Sequence, residues 1–139
     1  MSEKVNIVEL MQGTAQDAVT YAKETYQYQL DYSNTSISLV QSMLESIDSS
    51  KLSDEELFTI AYLFGAYIGE VFIKQVGGSW LYVEETEDEP PQTFLEYLDK
   101  TIAFPSKVYH FLLGSDDQSL DEYYVELLFS IDPDLYSKD

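Results

Sequence analysis

The run LFTIAYLFGAYIGEVFIKQV, Leu57 to Val76, constrains this chain most, because it is the longest apolar segment and keeps a helical period. Leu57, Ile60, Ala61, Phe64, Ile68, Val71 and Phe72 follow the three-and-four spacing of one helix face. Leu63 and Tyr67 widen that face, which predicts a helix covered on more than one side. Ser53-Asp54-Glu55-Glu56 stands ahead of it, with a Ser three residues before a Glu. That order predicts a reciprocal cap at Ser53, satisfying two of the amides orphaned at a helix start. Gly65 and Gly69 share a face, and each costs about 1 kcal/mol against Ala in a helix interior. The expected compensation is close approach of another backbone. Gly77-Gly78 supplies the positive φ that ends helices, and Trp80 is placed to fold back over the last turns.

The same run excludes a simple membrane span. Its uncharged stretch ends at Gly69, with Glu70 and Lys74 following, whereas a span needs about 20 consecutive, mostly apolar residues. A buried core helix is expected instead.

Around this helix the rest of the chain falls into place. Ile7, Met11, Ala15, Ala18, Ala22 and Tyr26 predict an amphipathic helix between Val5 and Leu30, with an interruption near Gly13-Thr14. Ser33 can cap a second helix whose face is Ile37, Val40, Leu44 and Ile47, closed by the polar turn Asp48-Ser49-Ser50-Lys51. After Gly78 the period changes to alternation, with Trp80, Tyr82 and Glu84 on one side and Leu81 and Val83 on the other. This predicts a strand running into the acidic turn Glu84 to Pro91, where two prolines bar regular structure. A second strand over Thr93 to Leu98, a turn at Asp99-Lys100 and a third strand over Thr101 to Phe104 are expected, although Phe94, Tyr97 and Leu98 also fit a helix. Pro105 suits the first position of a helix ended by Gly114. Ser119-Leu120-Asp121-Glu122 opens a last helix that Asp132-Pro133 closes. The fold class is therefore α+β, mainly helical, with a short antiparallel sheet after the central helix. It reads as a single domain over 1-139: a helical segment over 1-78, a hairpin or meander over 79-104, and C-terminal helices over 105-139.

Two pieces of the chain together resemble a known type. They are Leu30-Asp31-Tyr32-Ser33 ahead of a Ser/Leu-rich helix, and Phe64-Gly65-Ala66-Tyr67-Ile68-Gly69-Glu70-Val71 followed by Gly77-Gly78 and Trp80. This resembles a family of small bacterial cytoplasmic proteins, a domain of unknown function, over about residues 26 to 113. The resemblance implies an α+β fold and brings no catalytic residue with it. Small acidic proteins of this general kind are often immunity proteins that neutralise secreted toxins. The acidic final helix, after Gly114, lies outside the resemblance.

Charge narrows the function classes. There are 26 acidic residues against 7 basic ones, a formal charge of -19, and every basic residue is Lys. Without Arg the chain lacks the usual bidentate phosphate reader. Direct nucleic-acid binding, which depends on neutralising phosphates, is not expected. A basic protein partner matches the sign. Cysteine is absent, which removes disulfides and thiolate metal sites and agrees with a cytoplasmic location. Met1 to Asn6 lacks the charged start and apolar run of a secretory signal, so none is expected.

Chemical motifs are sparse. His110 is the lone histidine, in Val108-Tyr109-His110-Phe111 with no nucleophile arrangement beside it, and it reads as structural. No zinc spacing occurs, and Glu84 to Glu89 has no glycine for a calcium loop. Gly77-Gly78 follows a helix rather than a strand, so no phosphate cradle, metal or cofactor is expected. Glu70 interrupts the apolar helix, and a buried carboxylate there, paired with Asp31, would be the acid-base candidate of a small enzyme. Its plainer reading is a carboxylate at the edge of the buried face, bonded to a Tyr hydroxyl or a backbone amide.

The partner surface is expected at Glu84, Glu85, Glu87, Asp88, Glu89, Asp116, Asp117, Asp121 and Glu122, with Tyr82 and Tyr123 as anchors. Tyr97 and Tyr124 stand beside the same acids, and all these tyrosines also suit the core. The leading expectation is a non-enzymatic, acidic protein-binding module, monomer or homodimer, of the immunity type that neutralises a basic toxin. The alternatives are a nucleic-acid mimic whose carboxylates replace phosphates, a small enzyme using Glu70 and Asp31, and a structural or assembly protein.

Overall fold

Ser53 begins the central helix as its sequence requires. Its hydroxyl accepts from Glu56 N at 3.1 Å while the Glu56 carboxylate accepts from Ser53 N at 2.9 Å. In this computed structural model, which describes residues 6–88, 91–114 and 118–131, the helix α3 runs Asp54–Gln75. It is preceded by α1 (Ile7–Tyr26) and α2 (Ser36–Glu45), the latter followed by one 3-10 turn at Ser49–Lys51. After it come β1 (Ser79–Val83), β2 (Gln92–Tyr97), β3 (Lys100–Ile102), α4 (Phe104–Leu113) and α5 (Leu120–Ile131). The fold is α+β, mainly helical, with an antiparallel three-stranded meander in the order β1-β2-β3 directly after α3.

Helix α3 packs against α1 on one side and α4 on the other, α2 packs against α5, and the sheet touches α1 and α4. Phe64, Tyr67, Phe72 and Ala66 of α3 are completely buried, so the helix is covered around most of its girth. This explains why an apolar stretch of 22 residues, long enough to cross a membrane, has 56% of its most apolar window buried within the protein. Length and hydropathy alone do not distinguish a span from such a core helix.

The two helix glycines meet different neighbours. At Gly65 a Cβ would collide with the Pro105 backbone, whose N lies 2.6 Å from its place, so α4 approaches α3 backbone to backbone. At Gly69 the neighbour is the six-membered ring of Trp80, not a backbone. The indole, 5% exposed, lies over α3 where the helix has no side chain. Gly77 and Gly78 turn the chain with φ of 117° and 109° to bring it there.

Elsewhere boundaries shift for local reasons. Helix α1 is continuous through Gly13, because Met11, Ala15, Ala18 and Ala22 keep one buried stripe and Thr14 Oγ1 bonds back to Leu10 O at 2.8 Å. Helix α2 starts at Ser36, preceded by 3-10-like turns in which Ser33 Oγ accepts from Ser36 N at 3.2 Å, and Ile47 lies beyond its end. The β2–β3 turn is Leu98-Asp99 rather than Asp99-Lys100, with Leu98 at φ 54° and 83% exposed. Strand β3 stops at Ile102, since Phe104 already belongs to α4 and is buried against Phe72 and Tyr123. Pro105 is accordingly the second residue of that helix, and Gly114 ends it in the left-handed conformation at φ 75°. The expected stop at Asp132-Pro133 lies outside the described residues.

Buried polar groups join the elements. Tyr67 OH accepts from Tyr32 N at 2.8 Å and pairs with Ser36 Oγ at 2.6 Å, tying the α1–α2 connection and the start of α2 to α3. Gln41, on α2, accepts from Leu120 N at 2.6 Å and so satisfies a first-turn amide of α5.

Candidate functional site

The LDYS and GAYIGEV segments meet through these bonds. Leu30 is buried, Asp31 accepts from Ser33 N and Oγ at 3.1 and 2.6 Å, and Tyr32 turns the chain at φ 65°. The Tyr32 ring lies 4.9 Å from that of Tyr67. Burial raises the Tyr67 hydroxyl above its ordinary range, and it raises that of Tyr32, where the Glu70 carboxylate adds to the effect. The bonds from Ser33 hold Asp31 below the ordinary carboxylate value.

Glu70 faces the indole. Trp80 Nε1 donates to Glu70 Oε2 at 2.8 Å, so the carboxylate is bonded at the edge of the buried face, with an indole as donor in place of a Tyr hydroxyl or backbone amide. Both carboxylates of the enzyme alternative thus have hydrogen-bond partners within the fold. His110 is exposed in the last turn of α4, with its ring centroid 5.9 Å from that of Tyr109. Among the described residues no three His, Asp or Glu side chains converge as metal ligands.

The acids expected at a partner surface fall on two elements. Glu84, Glu85, Glu87 and Asp88 are all exposed on the β1–β2 connection, with Tyr82, 47% exposed, at the end of β1. Asp88 N donates to Thr86 Oγ1 at 3.2 Å, forming a local turn within the connection. Asp121 and Glu122 open α5 and serve it: Glu122 and Ser119 exchange long capping bonds of 3.3 and 3.4 Å, and Asp121 accepts from Ser119 Oγ at 2.7 Å and from Ser38 Oγ at 3.1 Å. Tyr123 is half-buried against Phe104 beneath the Lys107 ammonium, and Tyr124 is core. Glu89, Asp116 and Asp117 lie outside the described residues.

No family model, curated protein or solved structure matches this chain.

The geometry adds one feature, an aromatic cleft of about 310 Å³ between α3, β2 and α4. Phe58 and Tyr62 line it from α3, Phe94 from β2 and Tyr109 from α4. Phe58 is 57% exposed yet stacked on Tyr109, with ring centroids 4.5 Å apart and planes 1° from parallel. Tyr62 OH and Thr93 Oγ1 lie 3.3 Å apart within its wall. Phe58 and Tyr62 are four residues apart and off the stripe of Leu57, Ile60 and Phe64, which was the available signal. Their meeting with Tyr109, more than forty residues on, is tertiary.

Proposed function

We propose that this protein is an acidic protein-binding module, an immunity-type inhibitor that neutralises a basic partner such as a bacterial toxin. The observation that carries the reading is the β1–β2 connection, where Glu84, Glu85, Glu87 and Asp88 project into solvent beside an exposed Tyr82 on a chain of net charge -19. Exposed carboxylates on one connection make the local potential more negative and steer a cationic surface onto the protein, which speeds association. The sheet fixes the two strands that this connection joins, since β1 and β2 pair in register from Ser79 with Glu96 to Val83 with Gln92. An aromatic cleft within the same α3–β2–α4 region supplies apolar area of the kind that anchors interfaces. A cytoplasmic home accords with the cysteine-free composition. Against the enzyme alternative stand the structural bonds that occupy Glu70 and Asp31.

The test is capture from a lysate with the tagged chain as bait, eluted in stepped salt, beside a variant carrying Glu84→Gln, Glu85→Gln, Glu87→Gln and Asp88→Asn. The expected result is one basic protein, stoichiometric on the parent chain, absent from the variant, and losing its toxic activity on addition of one equivalent of the purified parent. Equal capture by both baits, or none at low salt, would overturn the reading.

A further inference from the structure

We propose that the aromatic cleft between α3, β2 and α4 receives an arginine side chain of the basic partner; this rests on the binding-module reading above and specifies its contact. The parallel Phe58–Tyr109 pair is the central observation. Aromatic rings carry negative faces, and stacking on Tyr109 occupies one face of Phe58 while the residue as a whole stays 57% exposed. A planar, weakly hydrated guanidinium continues such a stack, and cation–π attraction adds to it.

The surroundings suit a cation. No charged side chain lines the cleft. Asp54 lies one turn before Phe58 on the same face of α3, and Glu55 is three residues from Phe58. On the other side the acidic β1–β2 connection leads to Pro91, which lines the cleft itself. All of Asp54, Glu55, Glu84, Glu85, Glu87 and Asp88 are exposed. Tyr62 OH and Thr93 Oγ1 share a single hydrogen bond and therefore keep acceptor capacity for guanidinium N–H groups. Lys107 of α4 is directed elsewhere: its ammonium lies 4.4 Å over the Tyr123 ring and 3.5 Å from Gln118 Oε1. Because the chain contains no Arg, a guanidinium must come from another molecule. At about 310 Å³ the space is at the small end of ligand pockets, roughly 300–1,000 Å³, which fits one long side chain with its flanking backbone.

The experiment titrates the full chain at physiological salt with a capped peptide of alternating Gly and Arg, and with matched Lys and citrulline peptides, following ring resonances by NMR. The Arg peptide is expected to shift Phe58, Tyr62 and Tyr109 and to bind more tightly than the Lys peptide, with citrulline showing no binding. Phe58→Ala is expected to weaken the Arg peptide about 3- to 30-fold, the span of a cation–π contact. Its exposure makes folding safe, and Tyr109→Ala provides a second variant with the same expectation. If Arg and Lys peptides bind alike and Phe58→Ala changes nothing, the cleft assignment falls while the acidic surface stands. If neither cationic peptide binds even at low salt, both readings fall.

Discussion

Gly69→Ala tests the packing that joins α3 to the sheet. A Cβ at this position would run into Cη2 and Cζ2 of Trp80 and lie 3.3 Å from Cζ3, so the ring has to leave its seat. Helix propensity alone favours Ala by about 1 kcal/mol. Overpacking of this kind costs about 1–3 kcal/mol, and moving the ring breaks the Trp80 Nε1 bond to the Glu70 carboxylate, a charge-assisted bond worth about 1.5–3 kcal/mol. Net destabilisation of about 1.5–5 kcal/mol follows from these opposing effects. Trp80 is the sole tryptophan, so intrinsic fluorescence reports the site directly. Denaturant unfolding monitored at its emission is expected to show a lower midpoint for Gly69→Ala, with native emission shifted toward that of a wetter indole. A variant as stable as the parent, with unchanged native emission, would refute the close seat of Trp80 on Gly69.

Other consequences are equally open to measurement. Gly65→Ala is expected to destabilise by about 1–3 kcal/mol, since the obstruction is the Pro105 backbone, which cannot rotate away; thermal unfolding reads this. Tyr67→Phe leaves Tyr32 N without its buried partner, while Ser36 Oγ keeps its bond to Ser33 O, and is expected to lower stability by about 1–3 kcal/mol in chemical denaturation. Glu70→Gln keeps an acceptor for the indole and is expected to cost about 1 kcal/mol with biological effect intact, whereas lost effect in a normally folded variant would revive the acid-base alternative. Asp31 is expected to titrate below 3.8 by carboxyl NMR and to rise toward that value in Ser33→Ala, because its first cause is the Ser33 side-chain bond. Since its folded value is depressed, its contribution to stability is present above 3.8 and is lost as pH falls through the folded value.

Periodicity and end signals carried most of the fold. The Ser53 cap, the apolar stripe of α3, the positive φ at Gly77-Gly78 and the Gly114 stop are local, decided by steric and hydrogen-bonding rules within a few residues. The strand order followed as a meander because each connection is short. Where two local rules competed, the local signal failed: Gly13 did not break α1, because burial of the stripe around it outweighed the cost of one glycine. Leu98 adopts a conformation its side chain disfavours because the pairing of β2 with β3 leaves two residues for the turn.

The site divides along the same line. Composition and the Glu84 to Glu89 run determined that the protein is strongly acidic, since charge sums whatever the fold. The tertiary structure decided that Asp121 also accepts from Ser38 of α2 and that Glu70 holds an indole. It also brought Phe58, Tyr62, Phe94 and Tyr109, from two helices and a strand, around one cleft. Such meetings depend on distances between residues far apart in sequence, which a local pattern does not encode, and they are set here by how closely α4 and Trp80 approach α3 at its two glycines.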